Sequence, residues 1–198
     1  MWRGLGAARV APELLPALLN RYAEPHRKYH TLQHLDACFA HFNAVRREAA
    51  HPQEVELAIW FHDAVYEIGG AQNESQSADW ARGAMLAAGV SADAAQRVYS
   101  LVMATNHHVS PKTADEALLL DIDLAILGAP APGFDAYEDQ VRAEYASVPE
   151  DAFRGGRRRI LQAFLARERI FLTPHFRDRL EAQARANLAR SIDSLRTK

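Results

Sequence analysis

The chain has 198 residues, 48% of them hydrophobic, which suffices for one ordinary domain with a substantial core. Lysine and arginine number 23 against 25 aspartates and glutamates, and a formal net charge of -2 argues against wrapping a nucleic-acid polymer or adhering to an acidic membrane. The one cysteine, Cys38, has no partner for an intramolecular disulfide, and neither a signal sequence nor an apolar run of about 20 residues stands out, so the expected compartment is the cytoplasm.

Helical periodicity dominates from the start, with abundant Ala, Leu, Arg, Glu and Gln and few β-branched runs, and the fold class it predicts is all-α. A first helix is expected over about Pro12 to Tyr22, ending before "AEPHRKYH", because Pro25 disfavours helix in the residue before it. The next starts near Thr31, an N-cap, and carries "LQHLDACFAHFNAVRREAA". After Pro52 a third, "QEVELAIWFHDAVYE", is apolar on nearly all sides over Leu57 to Phe61, the pattern of a central buried helix. The segment "NESQSADWARGAMLAAG" opens with Asn73 and Gln76 in a capping-box-like arrangement and closes on Gly89, and Ser91 caps the helix that follows. "TADEALLLDIDLAILG" predicts a further helix ending at Gly128, then come "FDAYEDQVRAEYASV", a helix over about Pro149 to Phe171, and a last one from about Pro174. No linker or repeat divides them, so a single domain over 1–198 is expected, with its core over about 20–190.

Within "IWFHDAVYE" the adjacent His62 and Asp63 interrupt an apolar run, where unpaired burial costs several kcal/mol, so each must have a partner. His34 in "YHTLQHL" and Asp123 in "LLLDIDLAIL" share such apolar surroundings. Two imidazoles and two carboxylates form a nitrogen and oxygen donor set suited to one divalent ion such as Mn²⁺, Co²⁺, Ni²⁺, Fe²⁺ or Mg²⁺, rather than to a thiolate-bound structural zinc. A cation would also relieve the repulsion between two close carboxylates. Asp121 and Asp123, two apart on a helix, point to nearly opposite faces, so only one of them is expected to reach the ion directly, the other serving as a supporting group or a cap.

A histidine, an adjacent His-Asp doublet and a distant aspartate on an all-helical chain resemble the HD-domain superfamily of metal-dependent phosphohydrolases. The combination "YHTLQH", "LAIWFHDAVY", "NESQSA", "DIDLAILG", "VRAEY" and "GRRRILQAFL" is similar to a subgroup of small bacterial proteins in it, over about residues 20 to 190. The resemblance implies a single multi-helix bundle with the metal site between central helices, and His34, His62, Asp63 and Asp123 as ligands. It implies hydrolysis of a phosphoester in a small, nucleotide-like molecule, with Asp63 also orienting water and Glu74 as general acid or base.

Substrate contacts are expected from His30, four residues before His34, and from His107 or His108, with His108 preferred. Among the cationic groups Arg27, Arg142 and Arg157–Arg159, the preferred phosphate contacts are Arg142 and Arg157. Two alternatives remain open: a sensory or binding module that keeps the metal and holds a nucleotide without turnover, and a di-iron oxygenase, which needs extra spaced histidines where this chain has His107 and His108. The expected partners are a small phosphorylated substrate and, for a helical surface of this size, a second copy of the chain.

Overall fold

The computed structural model describes residues 1–106 and 110–196, and among these it contains nine α-helices, short 3-10 turns and no strand, the all-α architecture expected. In chain order the helices are α1 (Leu14–Tyr22), α2 (Leu32–Val45), α3 (Pro52–Phe61), α4 (Asn73–Ala87), α5 (Ala92–Ala104), α6 (Ala114–Asp123), α7 (Ala131–Glu144), α8 (Glu150–Leu165) and α9 (Pro174–Ser194). No single helix among the described residues is long and apolar enough to cross a membrane. The chain divides into two compact units, Met1–Leu120 and Asp121–Lys198. The division falls inside α6, so no Gly, Pro or polar linker marks it, in contrast to the single domain read from the sequence.

In the first unit α3 is the central element, packed against α2, α4 and α5. Val55, Leu57, Ala58, Ile59 and Phe61 are fully buried along it, as a helix apolar on all sides requires. Its start is fastened by two carboxylates. Asp115 accepts from the Ala50 and His51 N–H groups at 2.8 and 2.9 Å, and the buried Glu54 forms a bidentate pair with Arg97 at 2.7 and 2.8 Å. α4 ends on Gly89, φ 84°, with the Val90 and Gly89 N–H groups donating to the Met85 and Leu86 carbonyls, a Schellman closure that needs the left-handed conformation glycine tolerates. Several boundaries differ from those read in the sequence. α2 stops at Val45, α3 stops at Phe61 and leaves His62 as its C-cap, α6 gives way to a 3-10 turn after Asp123, α7 starts at Ala131, α8 stops at Leu165, and Asn73 is the first residue inside α4 rather than its cap.

In the second unit a 3-10 turn over Leu124–Gly128 packs on α9, and a Cβ at Gly128 would stand 2.5 Å from the Leu180 Cβ, so this close approach depends on glycine. The buried Asn187 amide of α9 donates to the Leu127 and Ala129 carbonyls at 2.9 and 2.8 Å. Phe134, Leu161, Phe171, Phe176 and Leu188 fill the core. On α9, Glu181 accepts from the Ile170 and Phe171 N–H groups and from the Arg185 guanidinium.

Burial pushes the Glu181 carboxyl up, but these donors outweigh it and hold its pKa below the ordinary value. A depressed carboxylate contributes stability that is complete above the unfolded pKa and is lost as pH falls through the folded one. Glu181→Gln is therefore expected to lower stability at neutral pH and to flatten the loss between about pH 5 and pH 3, as measured by urea unfolding across that range.

Candidate metal centre

α2 begins cleanly because the Thr31 hydroxyl accepts the Gln33 N–H at 3.3 Å, and one turn in, His34 points to the buried side with 5% of its surface exposed. Cys38, four residues on and on the same face, is 2% exposed. α3 delivers the other imidazole. The His62 N–H closes the last helical bond, to the Ala58 carbonyl at 2.9 Å, and the chain then turns, with Ala64 donating to the Phe61 carbonyl. The doublet therefore stands at the C-terminal end of a buried helix, where unpaired carbonyls favour positive charge.

The His62 ring is fixed by its Nδ1, 2.8 Å from the Ile59 carbonyl. A carbonyl only accepts, so the proton sits on Nδ1 and neutral His62 presents the Nε2 lone pair, the tautomer a metal ligand needs. That Nε2 lies 3.1 Å from the Nε2 of His34. The Asp63 Oδ2 is 3.2 Å from the His62 Nε2 and 3.6 Å from that of His34, with 21% of its side chain exposed. Donor atoms about 2.1 Å from one cation stand about 3.0 Å apart at right angles and about 3.4 Å apart at tetrahedral angles. The three separations fall around those values, so the geometry fits convergence on a single ion.

Among the described residues of the first unit, His34, Cys38 and His62 lie within a group that could hold a metal ion. The Cys38 Sγ lies 3.7 and 3.8 Å from the two ring nitrogens of His34. From the sequence this cysteine was noted only as lacking a partner for an intramolecular disulfide, yet its four-residue spacing from His34 was the available signal.

Arg27 holds the turn after α3. Its side chain has no exposed surface, and its guanidinium donates to the Asp63 carbonyl at 2.7 Å, the Ala64 carbonyl at 3.3 Å, the His30 carbonyl at 3.2 Å and the Glu24 carboxylate at 3.0 Å. The Tyr22 and Tyr66 rings lie 5.2 and 5.3 Å from its charge. This arginine, counted in the sequence among cationic groups for a phosphate, is occupied in binding backbone. The "NESQSA" segment holds the same loop from the other side. Asn73 accepts from the Glu67 N–H at 3.0 Å and donates to the Glu67 carbonyl at 2.9 Å, and the Ser77 hydroxyl accepts the Val65 N–H at 3.0 Å.

The remaining expected site residues are distributed as follows. His30 precedes α2 instead of extending it, its ring stacked 4.1 Å from that of Tyr66 and 6.0 Å from that of His34. Glu74 is half-buried in the first turn of α4. His107 and His108 lie outside the described residues. In the second unit, Arg142 donates to the Tyr145 carbonyl at 2.6 Å and to Glu150 at 2.9 Å, fastening the turn between α7 and α8. Arg157 is buried against Glu138, with its charge 5.0 Å from the Tyr137 ring, and although its burial works against the charge, Tyr137 and Glu138 raise its pKa further above the ordinary arginine value. Asp121 has no exposed surface and takes the Leu172 N–H, the Thr173 N–H and the Thr173 hydroxyl at 2.7 to 3.1 Å, anchoring the start of α9. Burial pushes its carboxyl above the ordinary range against the pull of those donors. Asp121 is thus a structural anchor, and Asp123 is half-buried at the end of α6.

Comparison of the chain with protein-family models, with curated proteins and with solved structures finds no match. Function has to be argued from the side chains themselves.

Two outcomes are expected. Asp123→Asn lowers divalent-ion affinity, whereas Asp121→Ala leaves ion stoichiometry intact and costs about 1–3 kcal/mol of stability by stripping the acceptor from buried N–H groups; calorimetric ion titration and urea unfolding of both variants check this. Arg27→Met costs about 3 kcal/mol, with Arg27→Lys recovering only part of it, because a lysine cannot reproduce the guanidinium fork across three carbonyls; urea unfolding reads both.

Proposed function

We propose that the protein is a metal-dependent phosphohydrolase that cleaves a phosphoester of a small, nucleotide-like molecule. The observation that carries this reading is the pair of buried Nε2 atoms 3.1 Å apart, one of them in the ligand tautomer, with a carboxylate oxygen beside them at 3.2 Å. The resemblance of the His34, His62–Asp63 and Asp123 pattern to the HD-domain phosphohydrolases supports the same reading.

His34, His62, Asp63 and Asp123 would hold one divalent ion. When bound, such an ion acidifies a coordinated water and neutralises charge on a phosphoryl oxygen. The chain's own groups do the rest. The Ile59 carbonyl orients the His62 ring through Nδ1 and leaves Nε2 facing the site, and the apolar flanks of α2 and α3 exclude bulk water around the two rings. Asp63, the more exposed of the donors, accepts a hydrogen bond from the attacking water and orients it. Glu74, favoured as a carboxylate by its place in the first turn of α4, takes the proton released by the attacking water and passes it to the leaving oxygen. With Arg142 and Arg157 engaged by Glu150 and Glu138, they are not the primary phosphate clamp in this mechanism.

Chelator-treated protein incubated with phosphomonoesters and nucleotides is expected to release phosphate only after Mn²⁺, Co²⁺ or Mg²⁺ is restored. His62→Ala and Asp63→Ala are expected to lose at least about 100-fold in kcat/KM while keeping the helical circular-dichroism spectrum. Tight nucleotide binding without release from any substrate would instead favour a binding or sensory module. Oxygen uptake with two irons per chain would favour the oxygenase.

A further inference from the structure

We infer that Tyr66 is a positioning residue for the substrate phosphate: its ring holds the imidazole of His30 at the rim of the site, where His30 donates a hydrogen bond to a phosphoryl oxygen. This rests on the reading that the site holds a divalent ion and a phosphoester, and it names the hydrogen-bond donor which that reading leaves open.

A phosphoryl group bound to an ion still carries oxygens that need donors. Arg27 is engaged by carbonyls and by Glu24, and the Lys28 ammonium donates to the Pro25 carbonyl at 2.9 Å. His30 is placed differently. One nitrogen of Arg27, Nη1, donates to the His30 carbonyl at 3.2 Å and to the Asp63 carbonyl at 2.7 Å, so the two residues are neighbours across the rim. Both are half-buried, whereas His34 and His62 are buried, so His30 and Asp63 stand on the side from which a substrate reaches the ion. The His30 ring meets that of His34 edge-on, 6.0 Å away at 74°. An imidazole carries at least one N–H whether neutral or charged, so donation needs no change of protonation.

His30 precedes Thr31, the N-cap of α2, and no helical backbone fixes its side chain. Rings do so instead. Tyr66 stacks on it at 4.1 Å and 27°, and Tyr29 meets it edge-on at 5.0 Å and 84°. Tyr66 is itself pinned twice. Its carbonyl accepts from the His26 Nε2 at 2.9 Å, and its ring lies 5.3 Å from the Arg27 charge. A donor already oriented by such a stack binds without losing further freedom.

The test is calorimetric titration of Mn²⁺-loaded protein with inorganic phosphate. It compares the unaltered chain with His30→Ala, Tyr66→Leu, Tyr66→Phe and the His30→Ala, Tyr66→Leu double variant, each checked for its helical circular-dichroism spectrum. Phosphate is expected to bind the unaltered protein, with affinity falling roughly tenfold in His30→Ala and roughly threefold or more in Tyr66→Leu, while Mn²⁺ affinity changes by less than about threefold in both. Tyr66→Phe, which keeps the ring, recovers most of what Tyr66→Leu loses. In the His30→Ala background Tyr66→Leu adds less than about twofold, because its effect runs through His30. Equal losses from Tyr66→Leu with and without His30, unchanged affinity in His30→Ala, a Tyr66→Phe as weak as His30→Ala, or no phosphate binding to the loaded protein would overturn the inference. Phosphate binding that follows the expected pattern, with no phosphate released from any phosphoester, would uphold it and sink the hydrolase reading instead.

Discussion

The Arg27 guanidinium, fully enclosed, satisfies three backbone carbonyls on the two sides of the first unit's site, those of His30 just before α2 and of Asp63 and Ala64 just after α3. The last carbonyls of α3 are met by His62, Ala64 and Tyr22, but those of Asp63 and Ala64 in the turn beyond it have no helical partner, and in a buried turn each would cost about 1–3 kcal/mol if left unmade. One rigid fork answers several of them and ties the segment leading into His34 to the turn carrying His62 and Asp63. The close approach of the two imidazoles depends on that tie. It also explains why an arginine is needed in a place with no anion to bind except Glu24.

α3 is held at both ends by charge placed on backbone. At its start Asp115 takes the Ala50 and His51 N–H groups and Glu54 is fastened to Arg97, while just past its end Arg27 takes the Asp63 and Ala64 carbonyls. Between them lies a helix with almost no polar surface, which cannot tilt or slide without exposing Leu57, Ile59 and Phe61. Rigidity of this kind holds the two Nε2 atoms 3.1 Å apart, within hydrogen-bond reach of each other and close enough to face one cation.

The pair Asp121 and Asp123 shows how two like residues on one helix part ways. Asp121, facing inwards, has its acceptor capacity taken up by the Leu172 N–H and by both donors of Thr173, so it secures α9 and has little left for an ion. Asp123 is half-buried at the end of the same helix, and none of those donors is its partner. The helical period separated the two in the sequence, but only the hydrogen-bond partners decided their roles.

Much of this was legible beforehand. The 3.6-residue period of the apolar positions and the stop signals at Pro25, Gly89 and Gly128 made the chain all-helical, and Thr31 and Ser91 are caps because a hydroxyl beside free N–H groups has a local partner. His34, His62 and Asp63 stood out as polar residues in apolar runs, since burial of such groups demands a partner wherever they occur. The end of α3 at Phe61, the second compact unit from Asp121, and the capture of Arg142 and Arg157 by Glu150 and Glu138 depend on groups that the local pattern does not pair. Sequence by itself determined the periodicity and which groups could not be buried alone, because those follow from single residues and their neighbours along the chain. Tertiary structure alone decided which partner each buried charge received, because that is set by distance in space between atoms that the chain brings together only on folding.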